Sequence, residues 1–143
     1  MKKILSMSVI LVMLALVVGC SGSIKQVDAG EQISVNWESY SGKIYVRSAG
    51  ISHGSATLNV VIGFSGELNS ESFKNEALER VYVADGSKQY RCTDFSIRFS
   101  GNFSGNLTMT PTLTFEVPEN VSIEKLALVV ENADGEIVGS KLQ

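Results

Sequence analysis

Two thiols, Cys20 and Cys92, and one imidazole, His53, are the nucleophiles and bases of this chain, and they stand far apart in it. A cysteine nucleophile needs a base within hydrogen-bond reach. Cys92 sits inside the strand-like stretch Gln89–Phe95 and reads as a small buried thiol. His53, in Ser52-His53-Gly54-Ser55, reads as an exposed loop residue, since a lone imidazole without a cysteine or second histidine nearby makes no zinc site. The acids Glu67, Glu71, Glu76 and Glu79 are of the type that serves as general acid and base in a glycosidase, but their spacing suits a solvated helix face. Neither Asp85-Gly86-Ser87 nor Asn132-Ala133-Asp134-Gly135 has the alternating oxygen ligands and distal glutamate of a calcium loop, so these acids, like Asp94, carry no metal reading. Trp37, Tyr40 and Tyr45 are residues that stack on sugar rings, yet their setting is that of a core tryptophan flanked by strand tyrosines. Asn102, Asn106 and Asn120 fit the glycosylation sequon and read as turns and strand edges. No enzyme, cofactor or metal is therefore expected.

Cys20 differs from the rest by its context. Met1-Lys2-Lys3 supplies a positive start, Ile4 to Val18 is apolar, and Gly19 precedes the thiol. The run is shorter than the roughly 20 residues that span a bilayer and ends at a small residue, which is the pattern of a secretory signal. Val17-Val18-Gly19-Cys20 resembles the lipobox of bacterial lipoproteins, with Val17 where leucine is usual. That resemblance implies that the Cys20 sulfur carries diacylglycerol and that the signal is cut before it. Two or more acyl chains, at about 0.8 kcal/mol per buried methylene, hold a soluble domain at a surface almost permanently. The expected location is extracytoplasmic, lipid-anchored to a bacterial cell membrane or outer membrane.

Beyond Gly19 remain 124 residues with ten basic and fifteen acidic side chains, a formal charge of −5. That length suits one domain with a real core. Its sign excludes the basic face that neutralises phosphates, so no nucleic-acid partner is expected. With Cys20 acylated, Cys92 has no partner for a disulfide inside the chain.

Residues 1–19 read as the lipoprotein signal peptide, 20–30 as the lipidated cysteine and a flexible tether rich in Gly, Ser, Lys, Gln and Asp, and 31–143 as the folded domain. In that domain apolar residues alternate with polar ones between turn residues: Ile33, Val35 and Trp37, then Ile44 and Val46, then Leu58, Val60, Ile62 and Phe64. Asp85-Gly86-Ser87 predicts a hairpin turn whose return strand places Phe95, Ile97 and Phe99 on one face. Leu107 to Val117 alternates with threonines, and Pro111 predicts an edge position or a break there. Ile123–Val130 and Glu136–Leu142 flank Asn132-Ala133-Asp134-Gly135 as a closing hairpin. Only Ser70–Leu78 has helical character, with Ser70 as its expected cap. The spacing predicts an all-β fold, an immunoglobulin-like antiparallel β-sandwich of about seven or eight strands, with a small closed barrel as the competing architecture.

The order of the pieces Val27–Ile33, Val81–Tyr90, Thr112–Pro118 and Ile123–Val130 is similar to that of the small immunoglobulin-like lipoproteins grouped as the DUF4352 type. The resemblance implies an extracytoplasmic sandwich and adds no functional residue. The expected role is a membrane-anchored binding or interaction module whose partner is an envelope protein or cell-wall ligand. The Thr-faced strand at Thr110 and Thr112 is its candidate edge for a partner. An envelope-protecting inhibitor of a hydrolase such as lysozyme is the second expectation; an enzyme using Glu67, Glu76 or His53 ranks last.

Overall fold

A computed structural model of the chain describes residues 24–86, 88–96 and 101–142. The signal segment 1–19, Cys20 and the expected inward Ile97 and Phe99 fall outside them. Strands β1 (Ile24–Val27) and β2 (Ile33–Asn36) lead into a long hairpin of β3 (Ser41–Ser52) and β4 (Ser55–Phe64). Short β5 (Glu67–Asn69) runs straight into helix α1 (Ser70–Arg80), followed without a loop by β6 (Val81–Asp85) and then β7 (Lys88–Ser96). Next come β8 (Asn102–Ser104), β9 (Leu107–Met109) and β10 (Thr112–Glu116). A 3₁₀ turn at Ile123–Lys125 precedes the closing hairpin, β11 (Leu126–Glu131) and β12 (Ile137–Lys141).

Backbone pairing runs in the order β1-β12-β11-β6-β7-β10-β4-β3-β2, with β9 beside β4 and with β5 and β8 forming a separate ribbon. Strand β7 turns the corner between layers. Its first half, Lys88–Arg91, pairs with β6, and its second half, Cys92–Ser96, pairs with β10. The layers are thus β12-β11-β6 and β3-β4-β10-β7, the strand order of an immunoglobulin-type sandwich. Period-two patterning sets which side chains meet between them. Leu58, Val60, Ile62, Leu113 and Phe115 from one layer share a core with Val81, Val83, Leu128, Val130 and Val138 from the other. The turns follow from local chemistry: His53 and Gly54 both have positive φ, 52° and 76°, in a two-residue turn between Ser52 and Ser55 whose twist suits a hairpin.

Several expectations are corrected. Residues 24–27, placed in the tether, form β1, which pairs in parallel with β12 from Ile24↔Ile137 to Val27↔Ser140. A strand of four residues shows too little alternation to be read from sequence, and its backbone pairing needs none. Residues 24–27 therefore belong to the folded domain and not to a tether, and the sheet is not wholly antiparallel. Among the described residues twelve strands replace the expected seven or eight, because β1, β5 and β8 have only three or four residues each and the expected strand Leu107–Val117 is split into β9 and β10. Helix α1 extends to Arg80 and is capped by Asn69, whose side chain accepts from the Ser72 amide at 2.9 Å. Ser70 is buried instead, and its hydroxyl accepts from the Gly101 amide at 2.7 Å.

Pro111 breaks the long strand but does not put it at an edge. Its carbonyl accepts from the Val60 amide at 3.0 Å, and β10 lies between β7 and β4. Both sides of β10 are occupied, so Thr112 offers no free edge to a partner. Register against β4 carries through the break, from Met109↔Ile62 to Thr112↔Asn59. The alternation holds, though Leu107 at the strand's outer end is 42 % exposed.

Candidate functional site

Aromatic rings anchor one end of the sandwich. Phe73 of α1 packs against Trp37 at 5.5 Å, Tyr40 at 5.0 Å and Phe95 at 5.4 Å between ring centroids. Trp37 donates from its indole Nε1 to the Glu131 carbonyl at 2.9 Å, and Tyr40 donates to the Gly63 carbonyl at 2.7 Å. These rings are buried and hydrogen-bonded, so they form a wall and not a sugar-stacking platform. Burial pushes the Tyr40 hydroxyl up to about 12. Tyr45 is half-buried on the opposite face of β3.

Glu76 fastens the helix to the β2–β3 turn. Its carboxylate accepts from the Ser39 amide at 2.8 Å, the Ser39 hydroxyl at 2.6 Å, the Glu38 amide at 3.1 Å and the Arg80 guanidinium at 3.0 Å. Partial burial pushes this carboxyl up, but the hydrogen bonds from Ser39, Glu38 and Arg80 together outweigh it and hold it below its ordinary value. The expected solvated face is corrected here: Glu76 is a structural acceptor, while Glu71 and Glu79 stay exposed.

Beside this end opens a cleft of about 500 Å³ lined by Ser39, Glu67, Leu68, Asn69, Ser72, Asn102, Phe103 and Ser104. A second hollow of about 250 Å³ shares Ser39, Glu67 and Leu68 with it. The wall is the β5–β8 ribbon, in register Leu68↔Phe103 and Asn69↔Asn102. Two reciprocal backbone bonds between Gly66 and Gly105, at 3.1 Å and 2.9 Å, close the ribbon, and the Asn69 side-chain amide donates to Asn102 Oδ1 at 2.7 Å. Both glycines have positive φ, 92° and 103°, which other residues adopt only under strain. The cleft thus presents one free carboxylate, two amides, three hydroxyls and the side of a phenyl ring on a braced frame. Such groups hydrogen-bond to hydroxyl- and amide-bearing ligands and pack against a ring face. Hydrolysis by paired carboxylates needs a second acid across the scissile bond, and Glu76, which reaches this region through Ser39, has both oxygens engaged.

The other sequence candidates lie apart. His53 is exposed at the tip of the β3–β4 hairpin. Cys92 is a free buried thiol on β7 that donates to the Asp94 carbonyl at 3.2 Å, and burial pushes it up. Cys92 lies on β7 and His53 in the β3–β4 turn, while Asp85 ends β6 paired with Lys88 and Asp134 lies in the turn between β11 and β12. Among the described residues no group of three or more His, Cys, Asp or Glu is placed to hold a metal ion, and no helix is long and apolar enough to cross a membrane. Asn120 and Asn106 are exposed, as turn residues should be. Sequence reasoning missed Asn69 and Ser72, and read Asn102, which starts β8, only among turns and strand edges. The available signal was the recurrence of Gly66, Gly101 and Gly105 around short segments.

No family model matches the chain, and no curated protein matches it. Its fold is similar to that of an uncharacterized beta-sandwich protein from Clostridium difficile 630, with a TM-score of 0.55 and 13% sequence identity over 85% of this chain and 95% of that one. At that identity the likeness is one of fold alone, and it supports the β-sandwich class.

Proposed function

We propose that the protein is a lipid-anchored binding module that holds a polar, ring-bearing ligand such as a cell-wall saccharide close to the outer face of a bacterial membrane. The observation that carries this reading is the braced cleft of Glu67, Asn69, Ser72, Asn102 and Phe103, which offers hydrogen-bonding groups around an apolar ring without a catalytic pair. Its position supports the membrane part of the reading. Ile24 pairs with Ile137, and Val81 at the end of α1 pairs with Val130, so β1 enters at the same end of the sandwich that carries α1 and the cleft. Because β1 starts at Ile24, that Cα lies at most about 14 Å from the Cα of Cys20. An acyl group on Cys20 would keep the cleft near the bilayer surface, where a ligand rooted in the envelope is concentrated.

The test is binding of soluble peptidoglycan fragments to the domain by calorimetry, beside Phe103→Ala and Asn102→Ala. The reading expects measurable binding that Phe103→Ala weakens about tenfold, the loss of roughly 1.4 kcal/mol of ring contact. Binding unchanged by both substitutions would remove the cleft as the ligand site.

A further inference from the structure

The charges that line the cleft have one sign. The cleft of about 500 Å³ and the hollow beside it meet at Ser39, Glu67 and Leu68, and the charged residues on their walls are Glu67 and, in the hollow, Glu38. Both acids are exposed, and among the described residues neither carboxylate has an ion-pair or hydrogen-bond partner. Arg80 leaves them uncompensated, because its Nε is engaged by Glu76 at 3.0 Å. The amino end of α1 does not reverse the sign. A helix start favours an anion through its free amides and dipole. Here the Ser72 amide is taken by Asn69 Oδ1 and the Ser70 amide by the Gly101 carbonyl at 3.0 Å, while Glu71 in the first turn answers the dipole.

A ligand that fills the cleft strips water from Glu67, and that loss is offset only by donors aimed at the carboxylate. Carboxylate- or phosphate-bearing ligands would enter against the field. Glu67 stands opposite Ser104 in the β5–β8 ribbon, so the two side chains share one of its faces and place a charged and a neutral acceptor together. An ammonium group, with three donors and one positive charge, matches that pair. We propose that the cleft selects an amino sugar whose amine is free, its ammonium seated between Glu67 and Ser104, with Glu38 in the adjoining hollow adding a second negative charge. This rests on the reading of the cleft as a saccharide site and states what that site prefers. N-acetylation removes the charge and leaves a single N–H, so a glycan with free amines binds more tightly than its acetylated counterpart. Exposed ion pairs contribute little, and the expected preference is about fivefold.

Calorimetry on the full chain in neutral detergent, at low salt, tests this with chitosan and chitin tetrasaccharides, which differ in N-acetylation alone. The chitosan tetramer is expected to bind about fivefold more tightly. That ratio should fall toward one in Glu67→Gln and at high salt, and should hold in Glu124→Gln, which removes an exposed acid on the 3₁₀ turn. Equal binding of the two tetramers would overturn amine selection while leaving the saccharide cleft in place. A preference that survives Glu67→Gln, or that Glu124→Gln reduces as much, would also overturn it, since the net charge of the protein would then be its source. Binding of neither tetramer would overturn both readings.

Discussion

Glu76 collects four hydrogen bonds from two elements, and its removal leaves the Ser39 and Glu38 amides without their acceptor. Glu76→Ala is expected to cost about 2 kcal/mol in a denaturant melt, with Ser39→Ala costing less because it removes one hydroxyl and leaves the amide. The lowered carboxyl sets the pH sense: its stabilisation is present above the ordinary carboxyl range and fades as pH falls through the lowered value. Tyrosines act at the other end of the scale. Tyr40 and Tyr82 are both pushed up to about 12 from 10.0, by burial first. The folded state keeps these hydroxyls neutral where the unfolded chain ionises, so their stabilisation is complete below pH 10 and is lost as pH rises toward 12. Absorbance titration at alkaline pH, run beside Tyr40→Phe and Tyr82→Phe, should show these two ionising only near 12 or with unfolding. Ionisation of either at an ordinary tyrosine value would contradict its burial.

At the scale of elements, Asn132 ties the closing hairpin to β2. It is 5% exposed; its Oδ1 accepts from the Asn36 amide at 2.8 Å and its Nδ2 donates to the Ser34 carbonyl at 3.1 Å. Asn132→Leu would bury those two backbone groups unpaired and is expected to cost about 3 kcal/mol, seen as a lower midpoint of thermal unfolding. Gly42 is the tightest backbone approach: a Cβ there would stand 2.5 Å from Tyr40 Oη and 2.6 Å from the Gly63 carbonyl. Gly42→Ala should therefore displace Tyr40 and destabilise the β2–β3 turn, whereas Gly63→Ala, with open space around it, should not. Long strands were legible because β10 and most of β4 alternate buried with more exposed residues, Val61 being buried as well, and the hairpin turns at Asp85-Gly86 and Asn132–Gly135 were legible too. Strand β1 was not, since two apolar residues in four carry no period. The helix was legible but not its cap, because Asn69 and Ser70 are both capping types and only the fold shows that Gly101 claims the Ser70 hydroxyl. Tertiary pairing likewise decided that β10 is central, which Pro111 alone argued against.

Across the whole molecule, the sandwich is closed by contacts between residues about a hundred positions apart, Asn36 with Asn132 and Trp37 with Glu131. The first and last strands meet as well, since β1 lies along β12. The first described residues, Ile24–Val27, are therefore held along the last strand. The cleft was hidden from sequence because its residues come from the β2–β3 turn, β5, α1 and β8, each polar and ordinary in isolation. A lipid on Cys20 would hold this body against the membrane rather than let it range on a tether, and the −5 formal charge beyond Gly19 supplies no electrostatic substitute for that lipid. The most direct measurement is the intact mass of the protein recovered from bacterial membranes, beside a Cys20→Ala version, with detergent partitioning of both. The account expects a chain that begins at Cys20 with the added mass of acyl groups and enters the detergent phase, while Cys20→Ala stays aqueous or retains its leader. A lipid-free chain in the aqueous phase for both would contradict membrane anchoring.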